Sequence, residues 1–517
     1  MHGRRIDGFG DAIDCRLGDW MERRANQADG STAVTEYVWT WFLSQVAYVR
    51  GANIPGWVWV VLLWALMAFP AVSLRGTHFE EGTVIGLARG AVEDGQWLTP
   101  HLYGVRYIER PVLLSWIAAA IGKLSGGVSV WSARIPHLLF LLAGGLMVFH
   151  LVLPHTRKAP AVFGALCWFA CPIVSQKFVT AEPDVTLSVL LFGGFFLWWK
   201  GVSSGSTSIF RWLAIGVLLA AAGLAKGPQP ITYFALGVGA YLLVKRRWSD
   251  IPGFVFANAM AGLTVGSWYW MVMIPGDVKG WILHSRLSEG MTLMQWVRDH
   301  LDFVLSLFLV EWLPGSVLLF PAIVALARNA FGRERDLMLA AVLYATVASM
   351  LLLIWPGGVA TRYAMPANLA LAVVGGILFD RWWATRPWLI AVSNTVVTGI
   401  STALIVLGWI VIPAAPIAFS QSKTSAQTIA AVREAMQGTL YVTTSADLNT
   451  LAYVAAPIRM VGLTDIANLK PPAFAILRGS EVAEIIAQKP DFAAIAHATL
   501  NKGLLTRIFE IRGKQEP

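Results

Sequence analysis

Apolar runs, each long enough to cross a bilayer, recur along most of this chain, and that pattern is the strongest constraint on its fold. A chain of 517 residues that is 56% hydrophobic, only 14% charged and carries 24 Trp is too apolar for a soluble globule. It reads as an all-α polytopic membrane protein. The formal charge of +9 is then first a positive-inside bias of the loops. No RNA- or DNA-binding motif accompanies it, so no nucleic-acid partner is expected. Cys167 and Cys171 share one face of a predicted helix and read as buried small apolar residues rather than a redox pair.

The opening stretch, MHGRRIDGFGDAIDC, is polar and lacks the apolar region and cleavage site of a signal peptide, so residues 1–55 read as a cytoplasmic extension. The first span runs from Trp57 to Leu74. With that orientation the basic clusters at 155–159, 200–211, 245–248, 328–335 and 381–386 all fall on the cytoplasmic side, provided PVLLSWIAAAIGKLSGG (111–127) does not cross. That stretch is short, starts at Pro111 and ends in a Gly pair, as an interfacial or re-entrant helix would. The charge rule then predicts about 11–13 spans within residues 56–415.

Residues 416–517 change character and read as a small α/β domain on the outer face. SAQTIAAVREAMQG has Ser425 as a candidate N-cap, Ile429, Val432 and Met436 on one face, and Gly438 as the stop. TLYVTTS, FAILRG and TRIFEIRG have the composition of short strands.

The first exported loop, within residues 75–134, holds Glu80, Glu81, Glu93, Asp94 and Glu109 beside Arg75, Arg89, Arg106 and Arg110, with Trp97, His101, Tyr103 and Tyr107 between them. Basic residues gathered where the bias disfavours them suggest an anionic ligand, since guanidinium forks match phosphate oxygens. A loop paired internally by its own acids is the equal alternative.

The stretch EEGTVIGLARGAVEDGQWLTPHLYGVRYIERPVLLSW resembles the first periplasmic loop of the membrane-embedded GT-C glycosyltransferases, above all the bacterial aminoarabinose transferases of lipid A and their protein mannosyltransferase relatives. Glu80-Glu81 matches an Asp-Glu pair, Gly95-Gln96-Trp97 a Gly-Asp-Trp-like turn, and Tyr107-Ile108-Glu109-Arg110-Pro111 a Tyr-Phe-Glu-Lys-Pro-like motif. Arg134, Asp184, Lys226-Gly227-Pro228, Trp281, His284, Tyr363 and Pro366 follow in matching order, so the resemblance covers most of residues 57–380. The family's Arg-Tyr after the acidic pair is replaced by Thr83 and Val84, and Glu80 stands for its usual Asp.

The resemblance implies a cavity where a polyprenyl-phosphate-linked sugar meets a lipid A-like or protein acceptor among membrane lipids, on the periplasmic face of the inner membrane. It casts Glu80, Glu81 and Asp184 as catalytic carboxylates, and Arg110, Lys226 and Arg362 as ligands of the donor phosphate. Trp97, Tyr107, Glu109, Glu182 and Tyr363 would line the cavity. Glu109 with His284 is a conceivable divalent-metal pair, although two ligands do not make a site; no other cofactor is implied. Each residue has a plainer reading: solvated loop acids, a turn-forming Asp184, an Arg110–Glu109 pair, a snorkelling Lys226, interfacial aromatics. Protein O-glycosylation is a competing function, and a multi-span lipid or solute transporter is one of a different class. A transporter favours ionisable groups at mid-membrane and two related halves, whereas here the charges collect at one face.

Overall fold

The computed structural model describes residues 54–512, except 206–207, 229–230, 279–291, 357–358, 384, 434–437, 456, 491 and 502–505. The expected cytoplasmic extension therefore lies almost wholly outside the described residues.

In chain order, α1 (Gly56–Leu74), α2 (Glu81–Glu93) and α3 (Leu113–Ser125) lead into α4 (Val130–Val152), α5 (Lys158–Phe169) and α6 (Pro183–Ser203). They are followed by α7 (Ile209–Lys226), α8 (Thr232–Val244), α9 (Ile251–Val272), α10 (Leu293–Ser306) and α11 (Gly315–Ala327). The bundle closes with α12 (Arg335–Leu353), α13 (Ala367–Trp382) and α14 (Pro387–Val406). Among the described residues, six helices are long and apolar enough to cross a membrane, or seven if the pair around α10 and α11, bent by 94°, is one broken span. That is fewer than loop charge suggests. Helices α5 and α8 are apolar but only 12 and 13 residues long, and at about 1.5 Å per residue they fall short of a full crossing.

Helix α6 is central, with 78% of its apolar window buried, against 17% for the peripheral last span, Pro387–Ala414. Small residues let α5 and α13 approach closely. A Cβ on Gly164 would lie 3.3 Å from both the Ala372 carbonyl oxygen and the Gly376 Cα, a contact that helices use where no hydrophobic effect drives them together. Cys167 and Cys171 are buried free thiols, as expected.

The two ends of the bundle differ in charge chemistry. At one end Arg157 pairs with Asp380 (2.6 Å), Arg381 with Glu334 (2.7 Å) and Lys245 with Asp336 (2.8 Å), so four of the five basic clusters converge there. Chain direction places the end of α1, the starts of α4, α6 and α13 and the end of α7 at the opposite end.

That opposite end carries the tail. Helix α15 (Gln421–Arg433) begins ahead of the expected cap, and Ser425 sits inside it, donating its hydroxyl to the Leu500 carbonyl. Beyond it come β3 (Leu440–Val442), β4 (Ile458–Met460), β5 (Ala473–Arg478), β6 (Ala493–Asn501) and β7 (Thr506–Arg512). They form one sheet in the order β4-β3-β5-β7-β6, with β3 parallel to β4 and β5, and β7 antiparallel to β5 and β6. The first loop folds back as a hairpin, β1 (His101–Leu102) and β2 (Val105–Arg106), turning at Tyr103 and Gly104 with φ of 53° and 93°. Two left-handed residues are what a two-residue hairpin turn requires. Leu87, Leu102 and Tyr103 of this loop share one core with Ile429, Leu440, Val442, Leu451 and Ile476 of the tail. The α/β tail is thus packed on the first loop rather than merely tethered by the last span.

Candidate active site

Glu80 stands at the N-cap of α2, yet its side chain makes no cap hydrogen bond. Its carboxylate faces Arg110 instead. Arg110 Nε–H donates to Oε2 at 3.0 Å and Nη2–H to Oε1 at 2.8 Å, and Arg362 Nη1–H donates to Oε1 at 3.0 Å. Burial pushes the Glu80 carboxyl up, but Arg110, helped by Arg362, outweighs burial and holds it below the usual carboxylate range. Burial likewise opposes the charge on both guanidiniums; Glu80 reverses this for Arg110, and Asp184 with Glu80 reverses it for Arg362, so both are raised.

Asp184 occupies the first turn of α6, behind Pro183, whose missing N–H costs nothing at that position. It is 1% exposed. Lys226, from the last turn of α7, binds Oδ1, and Lys177 Nζ lies 3.6 Å from Oδ2. Acid at a helix start and ammonium at a helix end each sit favourably in the helix dipole. Lys177 also pairs with Glu182, the N-cap residue of α6. Burial raises the Glu182 carboxyl more than Lys177 lowers it. The Lys226 ammonium lies 5.2 Å from the Tyr363 ring centre and the Arg362 guanidinium 5.9 Å from it, which ties the two charge groups together. Lys177 was not singled out from sequence, although a lysine in a short turn between apolar runs was the available signal.

Four cations (Arg110, Lys177, Lys226, Arg362) therefore meet three carboxylates (Glu80, Glu182, Asp184). Glu311 also lies within reach of the Lys177 charge, and Arg362 Nε is buried without a hydrogen-bond partner. A small cleft opens beside Glu80 and Arg110, walled by Thr83, Val84, Leu87, Pro111, Leu114, Ser115, Pro183 and Ala225. Thr83 and Val84 make this wall less polar than the Arg-Tyr of the resembled family would.

Other expected site residues lie elsewhere. Glu81, expected to share the catalytic work, is 0% exposed and faces Arg134, which donates Nε–H to Oε1 (2.6 Å) and Nη2–H to Oε2 (2.9 Å). Arg134 also reaches the carbonyls of Val72, Arg75 and Gly76 at the end of α1. This pair joins three helices and leaves no carboxylate for substrate. Breaking it strands a buried charge, so Glu81→Gln should destabilise the fold by about 3–5 kcal/mol. Thermal unfolding in detergent checks this; wild-type stability would refute the structural assignment.

Two other arginines of the first loop are held by partners outside it rather than by the loop's own acids. Arg89 donates to the carbonyls of Leu451, Ala452 and Val454, and Arg106 binds both oxygens of Asp277. Trp97 is 37% exposed and accepts the Trp116 indole N–H on its carbonyl, away from the cleft wall. Tyr107 packs on the core shared with the tail, and its hydroxyl, bonded to the exposed Glu109, is raised by burial and by that carboxylate. His284 and Trp281 lie outside the described residues, so the Glu109–His284 pair has no described geometry. Among the described residues no three His, Cys, Asp or Glu side chains converge as a metal would need.

Residues 109–270 match the family described as dolichyl-phosphate-mannose-protein mannosyltransferase. The undecaprenyl phosphate-alpha-4-amino-4-deoxy-L-arabinose arabinosyl transferase of Pseudomonas aeruginosa is 24% identical over 345 residues, 62% of this chain and 59% of that protein. The fold aligns with that of ArnT from Cupriavidus metallidurans in its apo state, with a TM-score of 0.64 at 18% identity over 88% of this chain and 97% of that one. ArnT bound to undecaprenyl phosphate aligns with a TM-score of 0.63 at 17% identity, over 89% and 98% of the two chains. The chain shares the fold of ArnT. It spans about half to three fifths of the length of two curated relatives that it matches. Residues 109–270 carry Arg110, Lys177, Glu182, Asp184 and Lys226, so the family match contains most of the charged cluster.

Proposed function

We propose that this chain is an integral-membrane hexosyl- or pentosyltransferase that moves a sugar from a polyprenyl-phosphate donor to a lipid A-like acceptor on the periplasmic face of the inner membrane. The observation that carries the reading is the convergence of Arg110 and Arg362 on Glu80 at the edge of a mostly apolar cleft. A lipid-linked phosphate has the matching chemistry, an anion on an apolar chain. In the transfer, the bond from the anomeric carbon to the phosphate oxygen breaks and the acceptor oxygen takes its place, so the lipid phosphate departs with the electron pair. Arg110, Arg362 and Lys226 stabilise that departing charge. Glu80, held below the usual carboxylate range, is a weak base, which suits an acceptor that is already anionic, such as a lipid A phosphate. The names of the curated relatives support the same donor class.

Arg110→Ala should cut donor use by about 100-fold, whereas Arg110→Lys, which keeps the charge and loses the fork, should cost about 10-fold. Wild-type donor affinity and turnover in the Ala variant would mean that Arg110 serves only to pair with Glu80. Sidedness is checked by cysteine labelling at Gln96 and Ser480, both exposed on the first loop and tail. Both should react with an impermeant reagent in spheroplasts; reaction only after permeabilisation defeats the orientation. The family match over residues 109–270 favours one second reading, transfer to protein Ser or Thr. Lipid A mass spectrometry of a deletion strain separates the two: unchanged lipid A with loss of a glycoprotein would select the protein acceptor.

A further inference from the structure

A helix N-terminus leaves backbone N–H groups without partners, and the N-cap side chain ordinarily accepts from one of them. In α2 that position belongs to Glu80, whose carboxylate is already committed to Arg110 and Arg362. The missing acceptor comes from the far end of the chain. Gly82 N–H donates to Asn449 Oδ1 at 3.2 Å, and Asn449 Nδ2–H donates to the Phe79 carbonyl at 3.2 Å. One amide therefore brackets Glu80 from both sides. The partners dictate its orientation, because a backbone N–H only donates and a carbonyl only accepts. Phe79 carries a φ of 52°, a left-handed conformation that a phenylalanine rarely adopts unless its surroundings hold it. Thr77 extends the grip, its hydroxyl donating to the Asn449 carbonyl at 2.7 Å and its N–H to the Tyr453 hydroxyl at 3.1 Å. The approach is so close that a Cβ on Gly82 would sit 2.5 Å from the Leu448 carbonyl.

The location in the tail has its own logic. Strand β3 is flanked by β4 on one side and β5 on the other, all parallel. The crevice beyond the carboxyl end of such a strand is where open α/β sheets bind their ligands. Asn449 follows β3 by a short turn, in the helix Leu448–Leu451. What fills that position here is the chain's own segment 77–82.

We propose that the α/β tail completes the active site, and that Asn449 is a positioning residue which holds Glu80 against Arg110 and Arg362. This rests on the transferase reading, and two readouts separate their failures. The first is hydrogen exchange on the full-length protein in nanodiscs. Asn449→Leu, close to isosteric, should speed exchange in peptides covering 77–84 by about 5-fold, the size of a lost helix cap, with β5 and β7 unchanged. The second is turnover with a polyprenyl-phosphate sugar. Asn449→Leu should lower kcat by about 10-fold, yet add nothing in a Glu80→Gln background, because the two act as one unit. Asn449→Asp keeps the acceptor for Gly82 and loses the donor to Phe79, so it should fold even where the Leu variant does not, with an intermediate kcat. Unaltered exchange in 77–84, or a kcat loss that simply multiplies with that of Glu80→Gln, overturns the proposal. Faster exchange in an otherwise well-folded protein that transfers no sugar even as wild type would sink the enzymatic reading and leave the clasp intact.

Discussion

Glu80→Gln should lower single-turnover sugar transfer by about 100-fold or more while the protein still folds and still binds donor. The amide preserves the shape of the carboxylate but removes its charge, and it turns an NH2 group toward guanidinium N–H groups that also donate. Arg110 and Arg362 then lose the partner that aligns them beside the cleft. Folding should survive because the Glu80 side chain is 19% exposed at the edge of the site, where water can take over. The pH profile adds a second check. A carboxyl held low by its arginines stays ionised throughout the neutral range, and the clasp is lost only as pH falls through the lowered folded-state pKa. Activity should therefore be flat across neutral pH, with an acid limb below the ordinary carboxylate range. In Arg110→Ala the largest stabilising charge is gone, and the limb should move upward. Full activity in Glu80→Gln would return this residue to the status of a solvated loop acid.

Asp184→Asn should be as damaging to turnover, but for a different reason. Asp184 is enclosed and binds Lys226 while standing near Lys177. Its neutralisation strands a buried ammonium, at a cost of about 3–5 kcal/mol in stability. Lys226, released from its anchor, would leave its place by Tyr363 and cease to stabilise the departing phosphate. The combination Asp184→Asn with Lys226→Met removes both charges together, and should restore most of the stability, since replacing a buried pair is far cheaper than breaking it. Transfer should remain absent in the double variant. Recovery of transfer along with stability would show that the pair is only a brace.

Several features needed no coordinates. The apolar runs required a helical membrane bundle because lipid leaves backbone groups no partners but their own helix. The loop charges anticipated the basic end of the bundle, and TLYVTTS, FAILRG and TRIFEIRG did become β3, β5 and β7. The missed strands have physical explanations. Ile458–Met460 is a three-residue edge strand, and AAIAHATLN is rich in alanine, the best helix former. Glu80, Arg110, Asp184, Lys226 and Arg362 were all legible as an ordered set, and the fold brings them together.

What only the tertiary structure decided is which of two adjacent glutamates faces the cleft. Successive residues at a helix start point about 100° apart, so Glu80 and Glu81 cannot face the same way. Glu80 turns to Arg110, and Glu81 turns inward to an arginine more than fifty positions away in the chain. The same holds for Arg89 on its three carbonyls and for Asn449 beside Glu80, each joining residues more than 360 positions apart. Local pattern carries helix and strand because those depend on neighbours a few residues away. Which charge meets which depends on how the α/β tail packs against the first loop, and no stretch of sequence near Glu80 contains that information.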